Sequence, residues 1–296
     1  DMVVSDINMD GMDGHELLQR IRGRFPALPV VLITAFGSIG SSVRAMREGA
    51  VDYLLKPFKP EQLLATVEKY LTTRVLGGNE PVAIEPSSQQ LLSLAGKVAR
   101  TDATVLISGE SGTGKEVLAQ FIHQHSNRAK GPFVAINCAA IPENMLEATL
   151  FGYEKGAFTG AYNSSPGKFE QADGGTLLLD EISEMDIGLQ AKILRVLQER
   201  EVERLGSRKT MKLDVRVIAT TNRDLRQHVR EGNFREDLYY RLSVFPLAWL
   251  PLRQRRQDIV PLAERLLEQH AGRMGRSTVR LDEQAKLTLS QYAWPG

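Results

Sequence analysis

The sequence predicts an α/β protein built as two units, each a parallel sheet covered by helices, and three observations carry that prediction. Short apolar runs ending in polar residues alternate with helical patterns in both halves. A glycine-rich loop at 109–116 joins a strand to a helix in the second half. Between the halves, Thr72 to Pro86 holds two glycines and two prolines without an apolar period, which reads as a linker.

In chain order, residues 2–5 and 29–33 read as strands, and His15 to Arg22 and Ser41 to Glu48 as helices. Asp6, Thr34 and Lys56 fall at the ends of apolar runs, the carboxyl edge where parallel sheets bind ligands. A helix from Pro60 to about Leu71 closes this unit. The expected division is therefore a first domain at 1–71, a linker at 72–86, a second α/β core at 87–250 and the start of a helical lid at 251–296. The core opens with a helix to about Arg100, the strand Thr104 to Ser108, the glycine loop and a helix to His125. Strands at Phe133 to Asn137, Thr176 to Leu179, Val215 to Thr220 and Val244 to Leu247 would complete its sheet. After Pro251, Ile259 to Gly272 and Asp282 to Ala293 are amphipathic segments suited to a small lid.

Composition narrows the function classes. A chain of 296 residues, 42% hydrophobic and 25% charged, can bury its own core. Its single cysteine, Cys138, rules out an internal disulfide framework, and no apolar run approaches the roughly 18 residues that cross a bilayer, so a cytoplasmic protein is expected. The 37 basic and 36 acidic residues leave a net charge of +1, which advertises no nucleic-acid field on this piece. Starting at Asp1 and stopping at Trp294-Pro295-Gly296, the sequence reads as a fragment of something longer.

The chemistry concentrates in the second core. Gly109, Glu110, Ser111, Gly112, Thr113, Gly114, Lys115 and Glu116 follow a strand and open a helix, the context in which backbone N–H groups and a helix start bind phosphate. Lys115 would bring a positive charge to the β and γ phosphates. Glu116 stands where Ser or Thr usually holds Mg²⁺, which leaves the direct metal ligand open at that position. The run Leu177-Leu178-Leu179 ends in Asp180 and Glu181, delivering two acids to the same sheet edge. Asp180 would help hold Mg²⁺, and Glu181 would orient and polarise an attacking water. Taken alone, the two acids also suit a helix cap before Ser183.

Between these motifs lies Gly156-Ala157-Phe158-Thr159-Gly160-Ala161, small residues that cannot form a packed core yet carry an aromatic. This insertion resembles the signature of bacterial enhancer-binding activators of sigma-54 RNA polymerase, and the resemblance covers nearly the whole chain. It implies an AAA+ P-loop ATPase with a helical lid, using ATP and Mg²⁺ and remodelling the closed promoter complex through the 156–161 loop, with Phe158 and Thr159 in contact. Asn137 matches the asparagine that holds the water-activating glutamate inactive in this family, and Asn222 matches the first sensor, which reads the γ-phosphate. Arg235 and Arg241 match the arginines that reach a neighbouring subunit's nucleotide; without the resemblance they read as solvated helix charges. The implied partners are sigma-54 and RNA polymerase, a sensor histidine kinase, enhancer DNA through a C-terminal domain outside this fragment, and further copies forming a dimer and then a hexamer or heptamer ring. The wording around 132–200 is nearest to the flagellar-gene branch.

The first unit resembles a two-component receiver of the flavodoxin-like fold, truncated before Asp1, on Ser5-Asp6, Ile33-Thr34-Ala35 and Lys56-Pro57-Phe58. In that resemblance Asp6 takes the phosphoryl group and lies against the metal, the Asn8 carbonyl helps hold Mg²⁺, Thr34 and Lys56 contact the phosphate, and Tyr53 reorients. The family's acidic pair would precede Asp1, and Asp10 stands where proline is common. Two other candidates are ordinary: His123 and His125, two apart on a helix, read as surface or lid-packing residues, and Arg253-Gln254-Arg255-Arg256 reads as a solvated charge run, with contact to nucleotide or a neighbour as the alternative. Rival functions are a remodeller with another client, or a scaffold that binds ATP without cleaving it.

Overall fold

The structure is a computed structural model describing residues 2–9, 13–24, 28–34, 48–58, 62, 63, 66, 80–158, 161–273 and 279–295. The expected helices at 41–48 (apart from Glu48) and 60–71 (apart from 62, 63 and 66), linker residues 72–79, Asp10, Thr159 and Gly160 lie outside them. The chain forms two compact units, one of residues 1–78 with 158–165 and one of 79–157 with 166–296.

In the first unit, β1 (Val3–Asp6), β2 (Val30–Thr34) and β3 (Asp52–Leu55) pair in parallel in that order, the first two each one residue later than the sequence reading. The register sets Asp6 opposite Ile33 and Thr34 opposite Leu55. Helix α1 (Gly14–Arg24) packs Leu18 on Val30, Leu32 and Ala50. Its first residue must be small, because a Cβ on Gly14 would lie 2.4 Å from the Asp6 carbonyl oxygen.

The second unit carries a five-stranded parallel sheet, with β4 (Val105–Ser108), β5 (Phe133–Asn137), β6 (Thr176–Asp180), β9 (Arg216–Thr221) and β10 (Phe245–Ala248) in the order β10–β4–β9–β6–β5. Its strands are continuous apolar runs because both faces are covered. The two-residue period splits them cleanly: Leu106, Leu177, Leu179, Val217 and Ala219 face α4 (Glu143–Phe151), α5 (Ile187–Glu199), α6 (Leu225–Arg230) and α7 (Glu236–Leu242). Val105, Ile107, Leu178 and Ile218 face α2 (Pro86–Ala99) and α3 (Lys115–Gln124). Arg216 is buried in this layer, donating to the Ala99 and Val98 carbonyls at 2.7 and 3.0 Å, a cation satisfying the end of α2. The lid helices α8 (Ile259–Arg273) and α9 (Glu283–Gln291) follow.

Two expectations change. His123 is not a surface or lid residue: it is buried against the sheet, with Nδ1 2.9 Å from the Thr176 hydroxyl, and burial lowers its pKa. A short antiparallel hairpin, β7 (Glu201–Glu203) with β8 (Thr210–Lys212), was absent from the sequence reading. Its turn supports the base of the 156–161 insertion. Leu205 N–H donates to Gly152 O and Glu154 N–H to Leu205 O, while Arg204 pairs with Glu154 at 3.1 Å and Glu170 at 2.6 Å. On the return side, a Cβ at Gly167 would lie 2.4 Å from Leu150 O. Only glycine fits there.

Candidate functional site

The carboxyl edge of the five-stranded sheet brings the phosphate loop together with Asp180 and Glu181. Gly112 (φ 75°) and Gly114 (φ 92°) take left-handed backbone, which lets the loop curl between β4 and α3. Gly109 N–H donates to Thr221 O at 3.1 Å, tying the start of the loop to the end of β9. Lys115 is buried and folds back, its Nζ donating to Gly109 O and Glu110 O at 2.9 and 3.0 Å. That leaves the ammonium 3.7 Å from Glu181 Oε1.

The two acids are held differently. Asp180 accepts from the Thr220 hydroxyl and from Asn137 Nδ2, the latter at 3.0 Å. Glu181 adopts left-handed backbone (φ 53°), rare for a residue with a side chain, and donates its N–H to Thr220 Oγ1 at 3.2 Å. Its Oε2 is buried with no hydrogen-bond partner. An orphaned buried carboxylate oxygen is costly unless something donates to it in use. At Glu116, desolvation first, then the Asp180 charge, raises the pKa.

Other positions lie apart from the loop. Asn137 contacts Asp180, whereas the resemblance implied Glu181. Asn222 is exposed just past β9. The Arg235 guanidinium pairs with Asp237 at 2.7 Å, and Arg241 donates to Leu197 O at 2.7 Å. In the insertion, Gly156 is left-handed (φ 84°), Ala157 N–H donates to Glu154 O, Phe158 is 40% exposed, Tyr162 is 72% exposed and Ala161 is buried. In the first unit, Lys56 Nζ pairs with Asp6, and Asn8 N–H donates to Asp6 Oδ1 at 3.1 Å. The Lys56 hydrogen bond first, then the Asn8 N–H, holds the Asp6 carboxyl below its ordinary range. Thr34 is buried, and its carbonyl accepts from Lys56 N–H at 2.8 Å; Tyr53 is half-buried.

The sequence reading missed a group behind the loop. Arg255 is buried rather than solvated, its guanidinium 4.4 Å from the Trp249 ring centroid. Among the described residues no cluster of three or more His, Cys, Asp or Glu could cage a metal, and no helix is long and apolar enough to cross a membrane. An oxygen set as small as Asp180 with Glu181 suits Mg²⁺, which keeps waters and phosphate oxygens rather than an all-protein cage.

Models of three families match: the sigma-54 interaction domain over residues 82–248, the response regulator receiver domain over 1–68 and the AAA+ ATPase lid domain over 253–296. The chain belongs to the sigma-54 activators of the response-regulator type. Among relatives of these activators, the response regulator protein FleR of Pseudomonas aeruginosa is 65% identical, matching 100% of this chain and 63% of its own length. The DNA-binding transcriptional regulator NtrC of Escherichia coli is 45% identical, over 100% of this chain and 66% of its own. The structure of NtrX from Brucella abortus in complex with ATP superposes with a TM-score of 0.68 at 39% identity, covering 100% of this chain and 66% of that one. The chain thus spans somewhat under two thirds of these relatives.

Proposed function

We propose that this chain is the receiver and ATPase part of a cytoplasmic two-component activator that uses ATP hydrolysis, in a ring of identical copies, to remodel the closed promoter complex of sigma-54 RNA polymerase. The observation that carries this reading is Glu181: a half-buried carboxylate whose Oε2 is buried without a hydrogen-bond partner and whose Oε1 lies 3.7 Å from the phosphate-loop lysine, in a chain that also carries the exposed Phe158. ATP with Mg²⁺, when bound, supplies the phosphoanhydride and neutralises the developing charge. The loop N–H groups of 109–116 hold phosphate oxygens, and Lys115 exchanges its carbonyl partners for them. Asp180, steadied by Thr220 and Asn137, holds the metal. Glu181 takes the proton from water through Oε2. Asn222 senses the terminal phosphate, and Arg235 and Arg241 act on the neighbouring copy, which makes turnover depend on assembly.

Asp6 accepts the phosphoryl group from a sensor histidine kinase, with Lys56 and Thr34 receiving its charge, and so controls assembly. Residues 156–161 press on sigma-54 through Phe158 and Thr159, and enhancer DNA is bound by a C-terminal domain beyond this chain. The identity with FleR supports the flagellar branch. Phosphate release and capture of purified sigma-54 by the ATPase trapped with a transition-state analogue test the reading together. Hydrolysis with no sigma-54 retained would leave the remodeller of another client; equal phosphate release by wild type and Glu181→Gln would leave only a nucleotide-binding scaffold.

A further inference from the structure

The phosphate loop is held from behind by a buried polar chain that the reaction just described does not use. The Thr113 carbonyl accepts two hydrogen bonds, from Trp249 Nε1 at 2.6 Å and from Arg255 Nη2 at 2.9 Å. In a trans peptide the carbonyl of one residue and the N–H of the next point in opposite directions. Pinning Thr113 O to the rear therefore aims the Gly114 N–H to the front of the loop, where an anion is received. Arg255 Nε also donates to Leu250 O at 2.9 Å, and burial lowers its pKa while Asp258 opposes that.

Asp258 forms the second link. It is completely buried, 3.8 Å from Arg255 Nη1, and its two oxygens accept from the residues that lead the chain into this unit: Ile84 N–H at 2.6 Å, Glu85 N–H at 2.8 Å and the Ser88 hydroxyl at 2.5 Å. Residues 80–86, which composition assigned to the linker, are thus fastened to the start of the lid.

We infer that Arg255 and Asp258 are positioning residues for nucleotide binding, which hold the Thr113–Gly114 peptide in its anion-binding orientation and couple that orientation to the lead-in segment 84–88. The inference rests on the nucleotide-binding reading above. A displacement of 84–88 removes donors from Asp258, frees Arg255 and lets the peptide rotate, so the stretch that follows the receiver is felt at the phosphates without touching them.

The test uses the whole chain and two readouts: ADP affinity by calorimetry and amide hydrogen exchange across residues 110–117. Arg255→Met is expected to weaken ADP binding about tenfold, and Ser88→Ala about threefold, the range of one hydrogen bond to a charged group. Trp249→Phe keeps the ring over Arg255 but loses its donor, and should also cost about threefold. Ser88→Ala should quicken exchange in the loop while melting like the wild type. Should Arg255→Met fail to fold, the two mild variants decide. Unchanged affinity and unchanged loop exchange in well-folded Ser88→Ala and Trp249→Phe would overturn the inference. A wild type that binds no ADP would instead overturn the nucleotide reading, and the exchange experiment would still decide whether Ser88 governs the loop.

Discussion

The two units solve one problem in opposite ways. Each delivers an acid and a lysine to the carboxyl edge of a parallel sheet, but Asp6 already has its cation, whereas Glu181 has an oxygen with no donor and a lysine turned toward carbonyls. The partly exposed Asp6 is stabilised as an anion at rest. The half-buried Glu181 keeps one oxygen unsatisfied, in a backbone conformation that costs about 1–3 kcal/mol. One carboxylate has a partner on each oxygen; the other keeps an oxygen in reserve.

The sharpest way to break this contrast is Glu181→Gln. Phosphate release should fall about a hundredfold or more, with ADP binding retained, because a positioned base contributes that much. Retained turnover would end the base assignment. Next comes Thr220→Val, which removes the hydroxyl shared by Asp180 and the Glu181 N–H. Turnover should drop about tenfold, as expected for one charged hydrogen bond lost; an unchanged rate would show that the two acids need no common support.

In the first unit, Lys56→Met should raise the Asp6 pKa toward its ordinary 3.8 when followed by carboxyl NMR. The sign follows from linkage: the depressed carboxyl stabilises the folded unit above about pH 3.8, and that contribution disappears as pH falls through the folded value. Wild type should lose this increment in acid, and Lys56→Met should lose a smaller one, the part left by the Asn8 N–H. Identical titrations would dissolve the pairing argument. The smallest effect is expected at Cys138, where burial first and then the neighbouring Asp180 and Glu181 push the thiol up. Native protein at pH 8 should resist alkylation until it is unfolded; rapid labelling would mean that Cys138 is far more accessible than its burial implies.

Both halves of this contrast were legible in the sequence because strand ends and glycine spacing are local. Asp6, Lys56, Asp180 and Glu181 follow short apolar runs and Lys115 closes the glycine loop, and the sheet registers bring those strand ends to one edge per unit. What stayed hidden depends on distant packing. Arg255 sits in a basic run that resembles surface, and nothing local announces that Trp249 and Asp258 bury it. His123 was misjudged for the same reason, since its partner Thr176 is 53 residues away. Asn137 was expected beside Glu181, yet its position opposite Asp180 follows directly from the β5–β6 register. The β7–β8 hairpin escaped because its strands are three residues long, too short for an alternating pattern to register.

The left-handed turn at Glu181 sets heat resistance against work. Glycine would relax that backbone and remove the stranded oxygen together, so a library selected only for surviving high temperature should drift toward Glu181→Gly and yield hardy, idle proteins. Anyone hardening this scaffold for laboratory use must therefore hold that codon fixed and seek robustness elsewhere.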